Sequence, residues 1–453
     1  MNTYNSLSEL GSGNVRKLLL KYAIPSVIAM TAASLYNITD SIFIGQGVGA
    51  LAISGLAITF PLMNLAAAFG SLVGVGAATL MSLRLGQKDY ETAGRILGNV
   101  FILNLIFGLI YTVVILTFLN PILLFFGASK DTLPYAREYM LVITGGNVIT
   151  HLYFGLNALL RSSGEPRKSM MATIYTVVIN ALLTPIFIYK LDMGIMGAAL
   201  ATILSQLILL VWQVKYFANP KRAIRLSKKD FRLDKKIVKD SLKIGTAPFL
   251  MNAVSSIIVI VFNQGLIKYG GDLAVGAYGI INRFAALFIM IVIGINQGMQ
   301  PIAGYNFGAG NMARVNEVLK HTIIFATVVV CVGFVASELF PGGVAMLFTN
   351  DQELSSIIIP GLRIVFVSFP LIGFQMVTSN FFQSIGHPGK AIFMSLSRQV
   401  IFLLPFLFIF PSLMGVNGVW LSIPAADLMS SLVAGYMLVF EYRKLYKDSL
   451  KTR

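Results

Sequence analysis

"LLLKYAIPSVIAMTAASLYNITDSIFIG", Leu18 to Gly45, is the stretch on which the reading of this chain turns. A helix needs about 20 apolar residues to cross a bilayer, and this run is longer than that. It carries Pro25 near its start and one carboxylate, Asp40, near its end. A charge at the bilayer centre costs roughly 2.5–3.5 kcal/mol on insertion scales, so an intramembrane acid is a functional-site candidate by default. Tyr36 and Asn37 precede Asp40 by four and three residues and share its helix face. A polar face on an otherwise greasy helix looks into a cavity rather than into lipid.

The rest of the composition agrees. Of 453 residues, 56% are hydrophobic and 12% are charged, against about a quarter charged in soluble domains. The chain reads as an all-α integral membrane protein. One cysteine, Cys331, rules out an intramolecular disulfide, and His151, His321 and His387 are too scattered for a zinc site. The net charge of +16 would suggest nucleic acid in a soluble protein; here it fits the excess of Lys and Arg in cytoplasmic loops, and no nucleic-acid partner is expected. The first apolar run is too long for a signal peptide and has no small-residue cleavage site, so it is expected to stay as the first membrane helix.

Apolar runs bounded by charges, Gly or Pro give twelve candidate helices: 18–45, 51–83, 93–119, 133–157, 168–190, 195–217, 238–266, 273–303, 316–340, 354–382, 391–411 and 417–440. Basic residues gather after the even-numbered ones: Arg84, Lys88 and Arg95; Arg161, Arg167 and Lys168; Arg314 and Lys320; and the tail from Arg443. The densest run, Lys215 to Lys243, follows the sixth helix. The opposite loops hold little, which places both termini in the cytoplasm. The expected division is an N-lobe over 1–217, a basic cytoplasmic linker over 218–237 and a C-lobe with its tail over 238–453. The linker lies near the membrane surface, where its cations can meet anionic headgroups.

The halves repeat. "GQKDYETAGRIL" from Gly86 resembles "GAGNMARVNEVL" from Gly308, and "NALLRSSGEPRKSM" from Asn157 resembles "SNFFQSIGHPGKAI" from Ser379, both at an offset of 222. "GIMGAALATILSQ" from Gly194 matches "GVNGVWLSIPAAD" from Gly415, and Pro25 pairs with Pro248. Six helices per half give both repeats the same topology, with a pseudo-two-fold axis along the membrane normal and a cleft between two bundles. The acids break the symmetry: Asp40 faces Asn263 in the repeat, and Asp427 faces Gln206.

No phosphate loop is present, because Ser384 and Ala391 stand where Gly389-Lys390 would need Gly and Ser/Thr, and neither G-x-S-x-G nor H-E-x-x-H occurs. An enzyme is not expected, and transport would have to run on an ion gradient. Asn180 and Thr184, one turn apart, and Thr202 can join Asp40 within one half and supply oxygens to a small cation; taken singly, each also suits interhelical bonding. Asp427 reads either as a functional acid or as part of a kinked helix with Pro424 and Ser430. Arg283 and Arg398 can pair with an acid, neutralise an anionic substrate or snorkel from near a helix end. His151 reads as a packed polar residue, and Glu338 as an outer-interface acid.

These residues resemble the MATE (multidrug and toxic compound extrusion) transporters, in a bacterial branch of that family, across essentially the whole chain. The likeness is carried by "YNITDSIFIG" at Tyr36, "LLRSSGEPRKSM" at Leu159, "NQGMQPIAGYNFGAGN" at Asn296, "FFQSIGHPGKA" at Phe381 and "SRQVIFLLP" at Ser397. The resemblance implies twelve helices in two lobes and export of amphipathic, often cationic drugs against proton or sodium entry. The family's N-lobe cation site carries over onto Asp40, Asn180 and Thr202, with Asn157 and Tyr36 in the network and Pro25 as the point where the first helix bends. Many relatives carry a second Asp where Thr184 stands, so this site has one carboxylate.

The expected function is therefore a cation-coupled multidrug antiporter working by alternating access. It is a monomer in the bacterial cytoplasmic membrane, its partners are small-molecule drugs, organic cations and the lipid bilayer, and it uses no cofactor beyond the coupling ion. Protons are favoured, since a proton needs a single acid; sodium would use the oxygens of Asp40, Asn180, Thr184 and Thr202. The alternatives are a sodium-coupled drug exporter and a flippase for lipid-linked oligosaccharides, which would favour basic cavity residues. A channel would need a continuous polar pore, which duplicated halves suit less well than a rocking carrier.

Overall fold

The computed structural model describes the backbone of residues 3–349 and 351–451, and their side chains except at 3–7, 36–38, 50, 228, 256, 272 and 442–451. Among the described residues there is no strand. Twelve spans follow in order: α1 Val15–Gly47, α2 Leu51–Gly86, α3 Tyr90–Thr117, α4 Leu133–Gly145 with Asn147–Ser162, α5 Pro166–Lys190, α6 Gly194–Ala218, α7 Lys235–Gly271, α8 Leu273–Gly308, α9 Met312–Leu339, α10 Gln352–Phe366 with Phe369–Ser384, α11 Pro388–Met414 and α12 Val416–Glu441. All twelve expected helices are present. Two are bent, α4 by 54° and α10 by 49°.

The repeat extends to local detail. The bends fall at Gly146 and at Ser368, 222 residues apart. The short helices Leu119–Phe125 and Pro341–Met346 keep the same offset. So do the caps that start α3 and α9: Asp89 accepts from Thr92 N at 3.0 Å, and Asn311 accepts from Arg314 N at 3.3 Å. Short polar residues suit that position because they satisfy an orphan amide of the first turn.

The halves hold each other mainly near the end of the molecule where the basic loops lie. Lipid tails are as apolar as Leu, so spans associate by close packing of small residues and by hydrogen bonds rather than by the hydrophobic effect. On α8, a Cβ at Gly294 would stand 2.6 Å from Val27 Cα, and one at Gly298 2.6 Å from Ala23 Cα. In the equivalent crossing, Gly76 of α2 lies directly on the α7 backbone at Ser241 and Gly245. Gln300 adds a bond from Nε2 to Thr79 Oγ1 at 2.7 Å.

The segments that precede α1 and α7 are exchanged between halves. The leading helix, Thr3–Ser12, is held by the second half: Asn306 Nδ2 donates to Leu10 O at 2.9 Å and Arg314 Nη2 to Gly13 O at 2.7 Å. The linker is held by the first half. Buried Asn99 donates from Nδ2 to Arg232 O at 3.0 Å and accepts from Asp234 N at 2.9 Å, while Phe231 packs on Phe101. Asp234 in turn caps α7 by accepting from Lys236 N and Ile237 N. The first turns after Pro25 and Pro248 still meet the opposite half, through Val27 and Met30 on α8 and through Phe249 and Asn252 on α2. Further along each helix joins its own half, α1 through Asp40 to α5 and α7 through Phe262 to Tyr278 and Trp420.

Candidate functional site

α1 carries Asp40 into the first half, where it is 6% exposed. One turn of α5, from Asn180 to Thr184, lies against it. Thr184 Oγ1 is 3.0 Å from Asp40 Oδ1 and 3.1 Å from Asn180 Oδ1. Asn180 Nδ2 donates to Thr202 Oγ1 on α6 at 3.2 Å, and Thr202 donates to Ala198 O at 3.1 Å. Asp40, Thr184, Asn180 and Thr202 therefore form one cluster across three helices. Tyr139 of α4, 3% exposed, lies within electrostatic reach of Asp40; as one more aromatic in an apolar helix, it gave no signal in the sequence.

The hydrogen count of this cluster is informative. A hydroxyl has one hydrogen to give, yet Thr184 faces two acceptor oxygens. The Asn180 amide has its oxygen toward Thr184, because its nitrogen is spent on Thr202. A proton on the Asp40 carboxyl group, donated to Thr184 Oγ1, lets Thr184 pass its own hydrogen to Asn180 Oδ1. A small cation among the same oxygens would relieve the two-acceptor contact equally well. Among the described residues no group of three His, Cys, Asp or Glu side chains could hold a metal ion.

Other expected site residues lie elsewhere. Asn157 is not in the Asp40 cluster: its Nδ2 donates to Thr173 Oγ1 at 3.0 Å, and seven residues, two turns of α5, separate Thr173 from Asn180. The side chains of Tyr36 and Asn37 lie outside the described residues. Pro25 sits inside α1. His151 is packed, with Nε2 donating to Ala66 O at 3.0 Å.

Asp427 belongs to a separate site in the second half. It is 1% exposed and accepts from Arg398 Nε at 2.6 Å and from Ser368 Oγ at 2.9 Å. Arg398 reaches it from a π-helical segment of α11, Ser397–Leu403, and Ser368 from the bend of α10. Of the readings open for Arg398, the structure has the ion pair.

The MatE family model matches the chain twice, over residues 25–186 and 247–409. The multidrug export protein MepA of Staphylococcus haemolyticus is 28% identical over 435 residues, 96% of each chain. Among solved structures, an outward-facing multidrug resistance MATE family transporter of the MOP superfamily superposes with a TM-score of 0.91 at 27% identity, covering 97% of this chain and 98% of that one. A MATE protein in the bent conformation gives 0.92 at 27% identity, covering 98% and 99%. With both halves matched by one family model, twelve spans and an intramembrane acid, the chain belongs to the MatE family of multi-pass membrane transporters, which are not enzymes.

Proposed function

We propose that this chain is a drug/proton antiporter that exports amphipathic, often cationic compounds by alternating access. The observation that carries this reading is Asp40, buried in the first half with its Oδ1 against the Thr184 hydroxyl, which also meets Asn180 Oδ1. An ionised carboxylate is costly in a low-dielectric interior. A proton entering from outside removes that cost and completes the hydrogen bonds to Thr184 and Asn180. Losing it on the cytoplasmic side returns a negative charge that an organic cation can satisfy. Exchange follows because the two ligands answer to the same charge. Pro25, inside the part of α1 that crosses α8 and ahead of the part held at Asp40, is where the change would bend the helix.

The division into an N-lobe (1–217), linker (218–237) and C-lobe (238–453), with both termini cytoplasmic, is part of the proposal. It is supported by the double family match and by the loop charges. The substrates are proposed from the staphylococcal relatives, which are multidrug export proteins, and the bacterial cytoplasmic membrane and a monomeric state go with them. A sodium-coupled exporter is the second reading, favoured by the run of four oxygen-bearing side chains from Asp40 through Thr184 and Asn180 to Thr202. In proteoliposomes without sodium, an imposed pH gradient should drive drug movement, and Asp40→Asn should stop it. Transport that follows a sodium gradient and ignores pH would replace the proton with sodium; no drug movement under either gradient would remove the exporter reading.

A further inference from the structure

α8 has one face turned to the opposite half and one packed in its own. The first is marked by Gly294 against Val27, Gln297 Nε2 donating to Met30 Sδ at 3.3 Å, and Gln300 on Thr79. The second is marked by Phe284, buried against Phe288 and Phe366, and by Ile281 against Gly361. Arg283 precedes Gly294 by eleven residues, which is three helical turns plus about 20°. It therefore stands on the face turned to the opposite half, beyond the contact zone, and it is exposed. Among the described residues it has neither an ion pair nor a hydrogen bond, whereas Arg398 is committed to Asp427. An uncompensated guanidinium on a membrane helix marks a function by default.

Its depth is fixed by the same crossing. α1 and α8 run antiparallel, Ala23 meeting Gly298 and Val27 meeting Gly294. Asp40 lies thirteen residues beyond Val27, about 20 Å at 1.5 Å per residue, and Arg283 about 16 Å beyond Gly294. The two charges stand at nearly one level, an acid in the first half and a cation on the facing wall of the second.

We propose that Arg283 anchors the anionic group of an amphipathic zwitterion, a carboxylate or phosphate, while the substrate's cationic end lies toward the half that holds Asp40. This rests on the exporter reading and adds a substrate class to it. Guanidinium grips a planar or tetrahedral oxyanion in a two-pronged way that a lysine ammonium does not. Arg283→Lys should therefore retain part of the effect and Arg283→Ala none.

The test uses a matched pair of dyes on the purified full chain: rhodamine 110, with a free carboxylate, and its methyl ester rhodamine 123, a cation. By fluorescence polarisation, Arg283→Ala should weaken rhodamine 110 binding about tenfold, the loss expected for one charged hydrogen-bonded contact, and leave rhodamine 123 within twofold. The retained ester binding reports that the variant is folded. Equal loss of both dyes, or no loss of rhodamine 110, would overturn the anchor and leave the exporter reading in place. If the wild type binds neither dye and moves neither in vesicles, both fall. Hexadecylphosphocholine identifies the source: displacement of rhodamine 110 by it assigns a phospholipid headgroup, and no displacement assigns a soluble carboxylate, the anchor standing in either case.

Discussion

Gly86 at the end of α2 and Gly308 at the end of α8 occupy equivalent places in the two repeats, and each lies on the other helix's backbone. A Cβ on Gly86 would collide with Tyr305 O, and one on Gly308 with Leu83 O; residues 83 and 305 are themselves 222 apart. Contact this close closes the basic end of the molecule. Gly308→Val should force the helices apart, at about 1–3 kcal/mol by the usual cost of overpacking. A lower thermal unfolding midpoint in detergent is expected, together with faster labelling of a cysteine placed at Thr79. An unchanged midpoint, with position 79 labelled as fast in the chain that keeps Gly308, would show that this closed end is not the resting state.

Asp427 presents no free negative charge to a substrate, because Arg398 and Ser368 take its two oxygens. Asp427→Asn should therefore lower transport of cationic and neutral drugs equally. Breaking a buried pair from one side costs about 3–5 kcal/mol, and here the lower end applies because the Arg398 side chain is 27% exposed. The double variant Asp427→Leu with Arg398→Met should recover more than half of the lost stability in thermal unfolding. Selective loss of cationic substrates in Asp427→Asn would return the residue to a role in substrate charge.

Asn99 fastens the linker to α3 through Arg232 and Asp234. Its replacement by Ala removes bonds on both sides of a buried amide, each worth about 0.5–1.5 kcal/mol. The linker is rich in Lys and Arg, so limited trypsin digestion reads its release directly. Cleavage between 221 and 236 should be several-fold faster in Asn99→Ala; an identical digestion pattern would mean that the linker is held elsewhere.

The loop charges predict which side each turn faces. In a chain with Cys331 replaced, a cysteine at Asn417 or Ser129 should react with an impermeant reagent added outside, and one at Lys229 should not. Gly271 is a poor site for this experiment, because its φ of 68° strains any side chain. Labelling at 229 from outside would invert the topology.

Much of this was legible in the sequence. Twelve spans follow from runs of apolar residues, since a bilayer sets a minimum helix length whatever the fold. The repeat followed from residue order at nearly one offset, and the structure carries it down to the Asp89 and Asn311 caps. Asp40 stood out because a carboxylate in such a helix has to be compensated. Asn180, Thr184 and Thr202 could be grouped with it as polar residues of the same half, and the resemblance pointed to Asn180 and Thr202 as well.

Tertiary structure decided the rest. That Arg398 meets Asp427, that Asn157 turns to Thr173, and that Tyr139 sits near Asp40 depend on how helices far apart in sequence are rotated against each other. Helical periodicity fixes which residues share a face but leaves open which neighbour that face meets. The exchange of the segments before α1 and α7 between halves had the same origin, because the repeat gives each half its helices without saying where their ends dock. Arg283 is the clearest case. Its charge was plain in the sequence, but only the crossing of Gly294 on Val27 turned that charge toward the opposite half and set it level with Asp40.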